Sequence, residues 1–131
     1  MPDLENLARD ALAIGDIRSA AIFLVTDGRA TLRLAAAAGI EGPALDGLVD
    51  AVRNPAHPVA RALIDDGPTF DVLPMNPGGP RLRSHLPLAV NRDGTRTVVG
   101  VLALAHELPL GETDRGRLIK LASAAATAAE A

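Results

Sequence analysis

The sequence predicts an α/β protein of the α+β type, a three-layer α/β/α sandwich around a largely antiparallel sheet of five or six strands. Apolar residues occupy odd and even positions alike in residues 20–25 and again in residues 98–105. A strand of that kind has both faces covered, so both segments are expected in the middle of the sheet. Amphipathic helical segments near both ends and in the middle of the chain would supply the covering layers.

The first half of the chain is predicted to contain a helix and a hairpin. Apolar residues recur at helical spacing from Leu4 to Leu12, and the helix is expected to end at Gly15-Asp16. Residues 20–25 and 31–36 then form two strands joined by a tight turn at Asp27-Gly28. Polar and apolar residues alternate in 31–34, which puts the second strand nearer an edge of the sheet.

Two short helices and a short strand follow in the middle of the chain. Leu45, Leu48, Val49 and Val52 share one helical face after the break at Gly42-Pro43. Pro58 is typical of a first helical turn and begins another helix, which ends before Gly67-Pro68. Residues 69–72 are expected to form a strand, and residues 74–80 a loop.

The last third is predicted to be a second hairpin and a final helix. Residues 83–90 and 97–106 form its strands around residues 91–96, and Pro87 is expected to cause a bulge or an unpaired amide. Thr113 is predicted to cap the final helix. Small and apolar residues form one stripe on that helix and would permit close helix approach: Leu118, Leu121, Ala122, Ala125 and Ala129.

Composition excludes several classes of function. The 131 residues, 48% hydrophobic and 22% charged, suit one domain spanning 1–131. A net charge of −3 without runs of Lys or Arg argues against a nucleic-acid partner. The chain has no cysteine, which excludes disulfides, thiolate nucleophiles and Cys-based zinc sites. No apolar run approaches the roughly 20 residues of a membrane span, so we expect no membrane partner and a cytoplasmic location.

The order of these segments resembles that of the GAF domain family over nearly the whole chain. The resemblance rests on the first hairpin ending in residues 34–40, on residues 56–63, on Gly67-Pro68, on residues 85–88 and on residues 99–104. It implies a GAF/PAS-like, non-catalytic sensory or regulatory module of bacterial signalling, attached to an output domain. It also implies a homodimer formed through the terminal helices, and a small-molecule effector bound between one sheet face and the helices of the middle segment.

Known subtypes of the family are easier to exclude than to assign. Members that bind a linear tetrapyrrole through cysteine, and the free methionine sulfoxide reductases, both need a thiol that this chain lacks. Cyclic-nucleotide binders carry an Asn, Lys, Phe, Asp, Glu pattern, whereas this chain has Asn91-Arg92 without the Lys or the Phe. No cofactor is therefore expected.

The resemblance implies a pocket within residues 45–75, closed by residues 83–88. With Phe23 and Phe70 as the only aromatic residues, the lining favours a small or aliphatic molecule. The alternative is that the side chains fill this space and the domain serves as a structural dimerisation or interaction module. The expected ligand-binding residues are Leu48, His57, Val59, Leu63, Phe70, Val72, Met75, Arg83, His85 and Leu86.

Polar residues near this pocket have competing interpretations. His57 is either the N-cap of the helix that begins at Pro58 or a ligand at the pocket rim, including one to haem iron. Arg81 and Arg83 point to one face, where they either remain solvated or bind an anion, with Arg83 as the first anchor.

No catalytic or metal site is predicted from the sequence. His85 and His106 lie on paired strands but are staggered by three or four residues, which disfavours a shared metal. Ser19, Ser84 and Ser123 have no recognisable base beside them.

Overall fold

A computed structural model describes residues 3–26, 31–64, 67–74 and 80–130. The predicted turn at Asp27-Gly28 and most of the predicted loop at 74–80 lie outside these residues. The elements follow one another as α1 (Leu4–Ala11), β1 (Ser19–Val25), β2 (Leu32–Ala38), α2 (Gly42–Ala51), α3 (Pro58–Arg61), β3 (Thr69–Val72), β4 (Leu82–Arg92), β5 (Thr95–His106) and α4 (Glu112–Glu130).

The strands form a five-stranded sheet in the order β2-β1-β5-β4-β3, and every neighbouring pair is antiparallel. The two strands predicted to be central, β1 and β5, lie side by side in its interior. Gly100 of β5 explains how closely they approach, since a Cβ there would lie 2.2 Å from the Phe23 carbonyl oxygen. The predicted edge position of β2 is also confirmed.

The two faces of the sheet carry separate layers of helix. Helices α1 and α4 cover one face, over Ile22 of β1 and Leu102 and Leu104 of β5. Helices α2 and α3 cover the other, where Val52 and Val59 pack with Val101. We call these the packed face and the cavity face. The predicted three-layer sandwich is confirmed.

The second hairpin forms as predicted, with longer strands. Asp93 and Gly94 both have positive φ, +52° and +80°, which suits a two-residue turn of the primed type. The pairing of β4 with β5 has a register shift between Leu88 and Ala89. This shift lies one residue beyond Pro87, where an irregularity was predicted.

Helix α4 differs from its prediction at its start and in what its stripe contacts. It begins at Glu112, and the amide of Arg115 donates to the Gly111 carbonyl at 2.9 Å, so Thr113 already lies inside the helix and is not its cap. The buried stripe of Leu118, Leu121, Ala122, Ala125 and Ala126 packs against α1 and β4 of the same chain. The close approach that the small residues permit therefore occurs within the chain. None of the described helices is long and apolar enough to cross a membrane.

Candidate functional site

A cavity of about 350 Å³ lies between the cavity face of the sheet and helices α2 and α3. Its volume lies in the range of small-molecule sites. Small side chains explain why space remains there: Ala21 and Ala103 are cross-strand partners on its floor, and Gly47 lies on the facing side of α2. Its main lining residues are Ala21, Ala103 and Ala105 from the sheet, Ala44, Gly47, Leu48 and Ala51 from α2, and Pro58 and Val59 from α3.

Strand β4 brings two polar side chains to the same cavity. Period-two alternation sends Arg83 and His85 to one face of the sheet. His85 is paired in register with Ala103, and Arg83 with Ala105, so each polar side chain lies beside an alanine of the floor. Apart from Ser19 of β1, the cavity is apolar toward β1 and α2, and it is polar toward β4.

His85 is largely buried beside the cavity, and its ring forms no hydrogen bond with any described residue. Its exposed fraction is 5%, and its ring nitrogens are open to the cavity, since no fully buried side-chain nitrogen of the described residues lacks a partner. Burial, with smaller contributions from the charges of His57 and Arg83, lowers the pKa of His85 to about 4. The ring is therefore neutral at pH 7, and offers one donor and one acceptor beside the cavity.

His57 is the N-cap of α3, as one of its two interpretations predicted. Its Nδ1 accepts from the Val59 amide at 3.2 Å. Burial lowers the pKa of His57 as well, which favours the neutral ring. Because Nδ1 is an acceptor, Nε2 carries the proton and is a donor. His57 also lines the cavity, so one side chain both caps α3 and contributes to the lining.

Arg83 is half-buried at the polar end of the cavity, whereas Arg81 is exposed. Its Nη1 donates to the carbonyl oxygens of Pro80 and, at 3.2 Å, Leu82. Partial burial lowers the pKa of the guanidinium and the carboxylate of Glu107 raises it, but the group stays charged at neutral pH. Arg83 takes part in none of the ion pairs formed among residues 3–26, 31–64, 67–74 and 80–130.

The structure brings five of the expected ligand-binding residues to the cavity: Leu48, His57, Val59, Arg83 and His85. Two others do not line the cavity, and their prediction is wrong. Leu86 follows His85 in the strand and therefore points to the packed face, where it is 1% exposed, and Phe70 packs on that face too.

Two further expected residues do not line it. Leu63 packs against the core of the cavity face and Val72 lies in edge strand β3, both outside the lining. Met75 lies outside the described residues. Sequence reasoning missed the alanine floor, although the alternating apolar positions of β1 and β5 could have shown which alanines share a face.

Solved structures similar to this one share a single fold. The GAF domain of a phosphoenolpyruvate-protein phosphotransferase from Coxiella burnetii has a TM-score of 0.76 at 13% identity, covering 99% of this chain and 84% of that one. The GAF-B domain of DevS from Mycobacterium smegmatis has a TM-score of 0.70 at 19% identity, covering 96% and 89%. The chain has the GAF domain fold.

A type II free methionine-R-sulfoxide reductase from Thermoplasma acidophilum is similar to the same extent, with a TM-score of 0.67 at 12% identity and coverage of 95% and 89%. At such identities the likeness shows the GAF fold alone. No protein-family model and no curated protein matches the sequence.

A second polar cluster of this GAF fold lies on the packed face and was missed from the sequence. Ser84 Oγ and His106 Nε2 are 2.8 Å apart, which corrects the expectation that Ser84 has no base beside it. His106 Nδ1 is 2.8 Å from the Leu108 carbonyl oxygen. The Asp71 amide donates to Ser84 Oγ at 3.2 Å, and the Asp71 carboxylate accepts from Arg115 at 2.6 Å.

The geometry of this cluster is structural rather than catalytic. Ser84 and His106 are both 0% exposed, and neither lines the cavity. A catalytic base of this type has its Nδ1–H held by a carboxylate, whereas His106 Nδ1 contacts a backbone carbonyl and Asp71 lies 4.0 Å from Nε2. The cluster ties β3, β4 and β5 to the start of α4.

The register keeps His85 and His106 apart, as predicted. His106 pairs with Leu82, three residues from His85 along β4, and the two rings lie on opposite faces of the sheet. Among the described residues, no group of three or more His, Asp or Glu side chains could hold a metal ion.

Proposed function

We propose that this chain is a non-catalytic sensory or regulatory module of bacterial signalling that binds a small molecule between its sheet and helices α2 and α3. The observation that carries the proposal is the buried ring of His85, which has no described protein partner and borders a cavity of about 350 Å³. The ring nitrogens of His85 are open to the cavity, since no fully buried side-chain nitrogen or oxygen of the described residues lacks a hydrogen-bond partner. A molecule held in the cavity is therefore able to hydrogen-bond with this ring, and the cavity has room for one larger than water.

The GAF fold of domains from signalling proteins supports the regulatory part of this proposal, since two of the similar domains come from a phosphotransferase and from DevS. Fold likeness alone does not determine function, so the cavity carries the argument. An attached output domain would receive the signal.

Strand β4 provides a route from the cavity to the last helix. Arg83 and His85 face the cavity, while Ser84 between them faces the packed side and contacts His106 and the Asp71 amide. Asp71 in turn binds Arg115 of α4. A ligand that shifts β4 would therefore shift the balance between arrangements of α4, provided that it binds one arrangement more tightly.

We propose that two copies pair through the outer faces of the terminal helices. The inner stripe of α4 packs within the chain, so pairing must use residues such as Ile119, which is 50% exposed on α4. Sedimentation should show a dimer for the parent and for Leu108→Glu, a control at another exposed apolar position. Ile119→Glu should be monomeric, and a parent that stays monomeric at high concentration would remove the dimer.

A fragment screen by NMR tests ligand binding. We expect binders whose chemical-shift changes cluster around His57, Arg83 and His85 in the parent protein. The matched variant is Ala103→Leu, which adds a larger side chain to the cavity floor and should abolish these changes. If no fragment binds the parent, or the variant binds equally well, the domain is instead a structural interaction module.

A further inference from the structure

The polar end of the cavity consists mainly of hydrogen-bond donors. His57 presents its Nε2–H because Nδ1 is used by the Val59 amide. Arg83 has N–H groups on Nε and Nη2 that donate to no described residue. The neutral ring of His85 adds one donor and one acceptor. A ligand group at this end must chiefly accept hydrogen bonds.

The charge at this end favours a single negative charge. Arg83 is a cation without an ion-pair partner among the described residues, while both histidines are neutral at pH 7 because burial lowers each pKa. A neutral group would leave the guanidinium uncompensated, and a phosphate dianion would bring one charge too many into a partly buried site. Glu107 opposes an anion, but its carboxylate forms no ion pair with Arg83.

The remainder of the cavity is aliphatic. Leu48 and Val59 line it above the alanine floor, and neither Phe23 nor Phe70 does so. An extended aliphatic chain fits such a lining without losing stacking contacts.

We propose that the ligand of this cavity is a short aliphatic carboxylate, with its carboxylate between Arg83, His85 and His57 and its alkyl chain over the alanine floor. This assignment rests on the proposed ligand-binding function and adds the chemical class. A guanidinium binds a carboxylate through charge-assisted, often bidentate hydrogen bonds, which gives Arg83 the largest share of recognition.

Calorimetric titration of the full chain tests the class of ligand. The probes are hexanoate, hexanamide, hexylamine and hexyl phosphate, which share one chain length and differ in head group. We expect hexanoate to bind about tenfold or more tightly than the other three, since each loses the charge match or its hydrogen bonds. Equal binding of hexanoate and hexanamide, or tighter binding of hexyl phosphate, would overturn the carboxylate assignment.

Two arginines of the same segment supply the matched variants. Arg83→Gln should weaken hexanoate binding by about tenfold to a hundredfold, because a hydrogen-bonded charge pair is lost. Arg81→Gln should leave it unchanged, since Arg81 is exposed. Equal weakening by both substitutions would show nonspecific attraction and overturn the assignment.

Failure of this inference is distinguishable from failure of the proposed function. If neutral fragments bind in the parent and are lost in Ala103→Leu while hexanoate does not bind, the cavity is a ligand site and the carboxylate assignment is wrong. If neither hexanoate nor any fragment binds, both the carboxylate assignment and the proposed ligand-binding function are wrong.

Discussion

The two faces of the sheet each bury a histidine, and they treat it differently. On the packed face, His106 is 0% exposed and both ring nitrogens have protein partners, Ser84 and the Leu108 carbonyl. On the cavity face, His85 is 5% exposed and has no partner among the described residues. Burial alone therefore does not tell whether a histidine has a structural role or belongs to a binding site. The difference in pairing distinguishes a histidine that stabilises the fold from one whose ring nitrogens are open to a cavity.

Parallel substitutions of the two histidines should give the largest difference. His106→Phe should destabilise the protein by about 3 kcal/mol, because it leaves Ser84 Oγ and the Leu108 carbonyl short of a partner in a buried site. His85→Phe removes no protein hydrogen bond and should change stability by less than about 1 kcal/mol. Urea unfolding at pH 7 measures both, and equal losses would contradict the contrast.

Substitutions of two alanines, one in β1 and one in β5, compare the packing of the two faces. Ala20 is 0% exposed in the core of the packed face, whereas Ala103 lines the cavity. Ala20→Leu should cost about 2 kcal/mol through overpacking, and Ala103→Leu should be close to neutral because the added atoms enter the cavity. Thermal unfolding compares the two variants. A loss at Ala103 as large as that at Ala20 would mean that the space is not available.

Acid should weaken the parent through His85. Burial lowers its folded-state pKa to about 4, below its ordinary value of 6.5, so the unfolded chain binds the proton more readily between these values. Stability should consequently fall as pH drops from 6.5 toward 4. From pH 7 to pH 5, the parent should lose about 2 kcal/mol more than His85→Phe does. Identical losses in both proteins would show that His85 is not buried in its neutral form.

The link from β3 to α4 should give the smallest effect. Asp71→Asn removes the ion pair with Arg115 but keeps a side chain that tolerates the positive φ of +58°. We expect a loss of about 1 kcal/mol, since the pair is only partly buried. The control is Asp50→Asn, whose pairing with Arg53 is exposed and 3.8 Å long and should not matter measurably. The prediction is wrong if calorimetric melting gives the two variants the same stability.

The sequence predicted the sheet better than the site because the two depend on different signals. Burial on both faces shows up in a strand as a continuous apolar run, so residues 20–25 and 98–105 indicated their central positions without any knowledge of neighbours. The N-cap role of His57 was likewise local, since it requires only Pro58 after it and a helix.

The cavity and the packed-face cluster depend on register, which single segments do not show. Alternation was applied to Arg81 and Arg83 alone. The same rule, extended along β4, puts His85 on the face of Arg83 and would have removed Leu86 from the pocket. Ser84 and His106 are 22 residues apart in the chain, and their contact requires Leu82 to pair with His106. The predicted stagger of His85 and His106 already implied that register. The same register brings Ser84 close to His106, which the sequence analysis did not predict.

Histidine-selective ¹⁵N NMR tests the central claim most directly, because the chain has three histidines. Titration with a pool of cavity fragments, hexanoate and hexanamide included, should shift the ring nitrogens of His85 and His57 and leave those of His106 unchanged. Ring nitrogens of His85 that do not respond to any fragment, or that respond no more than those of His106, would contradict a ligand site on the cavity face.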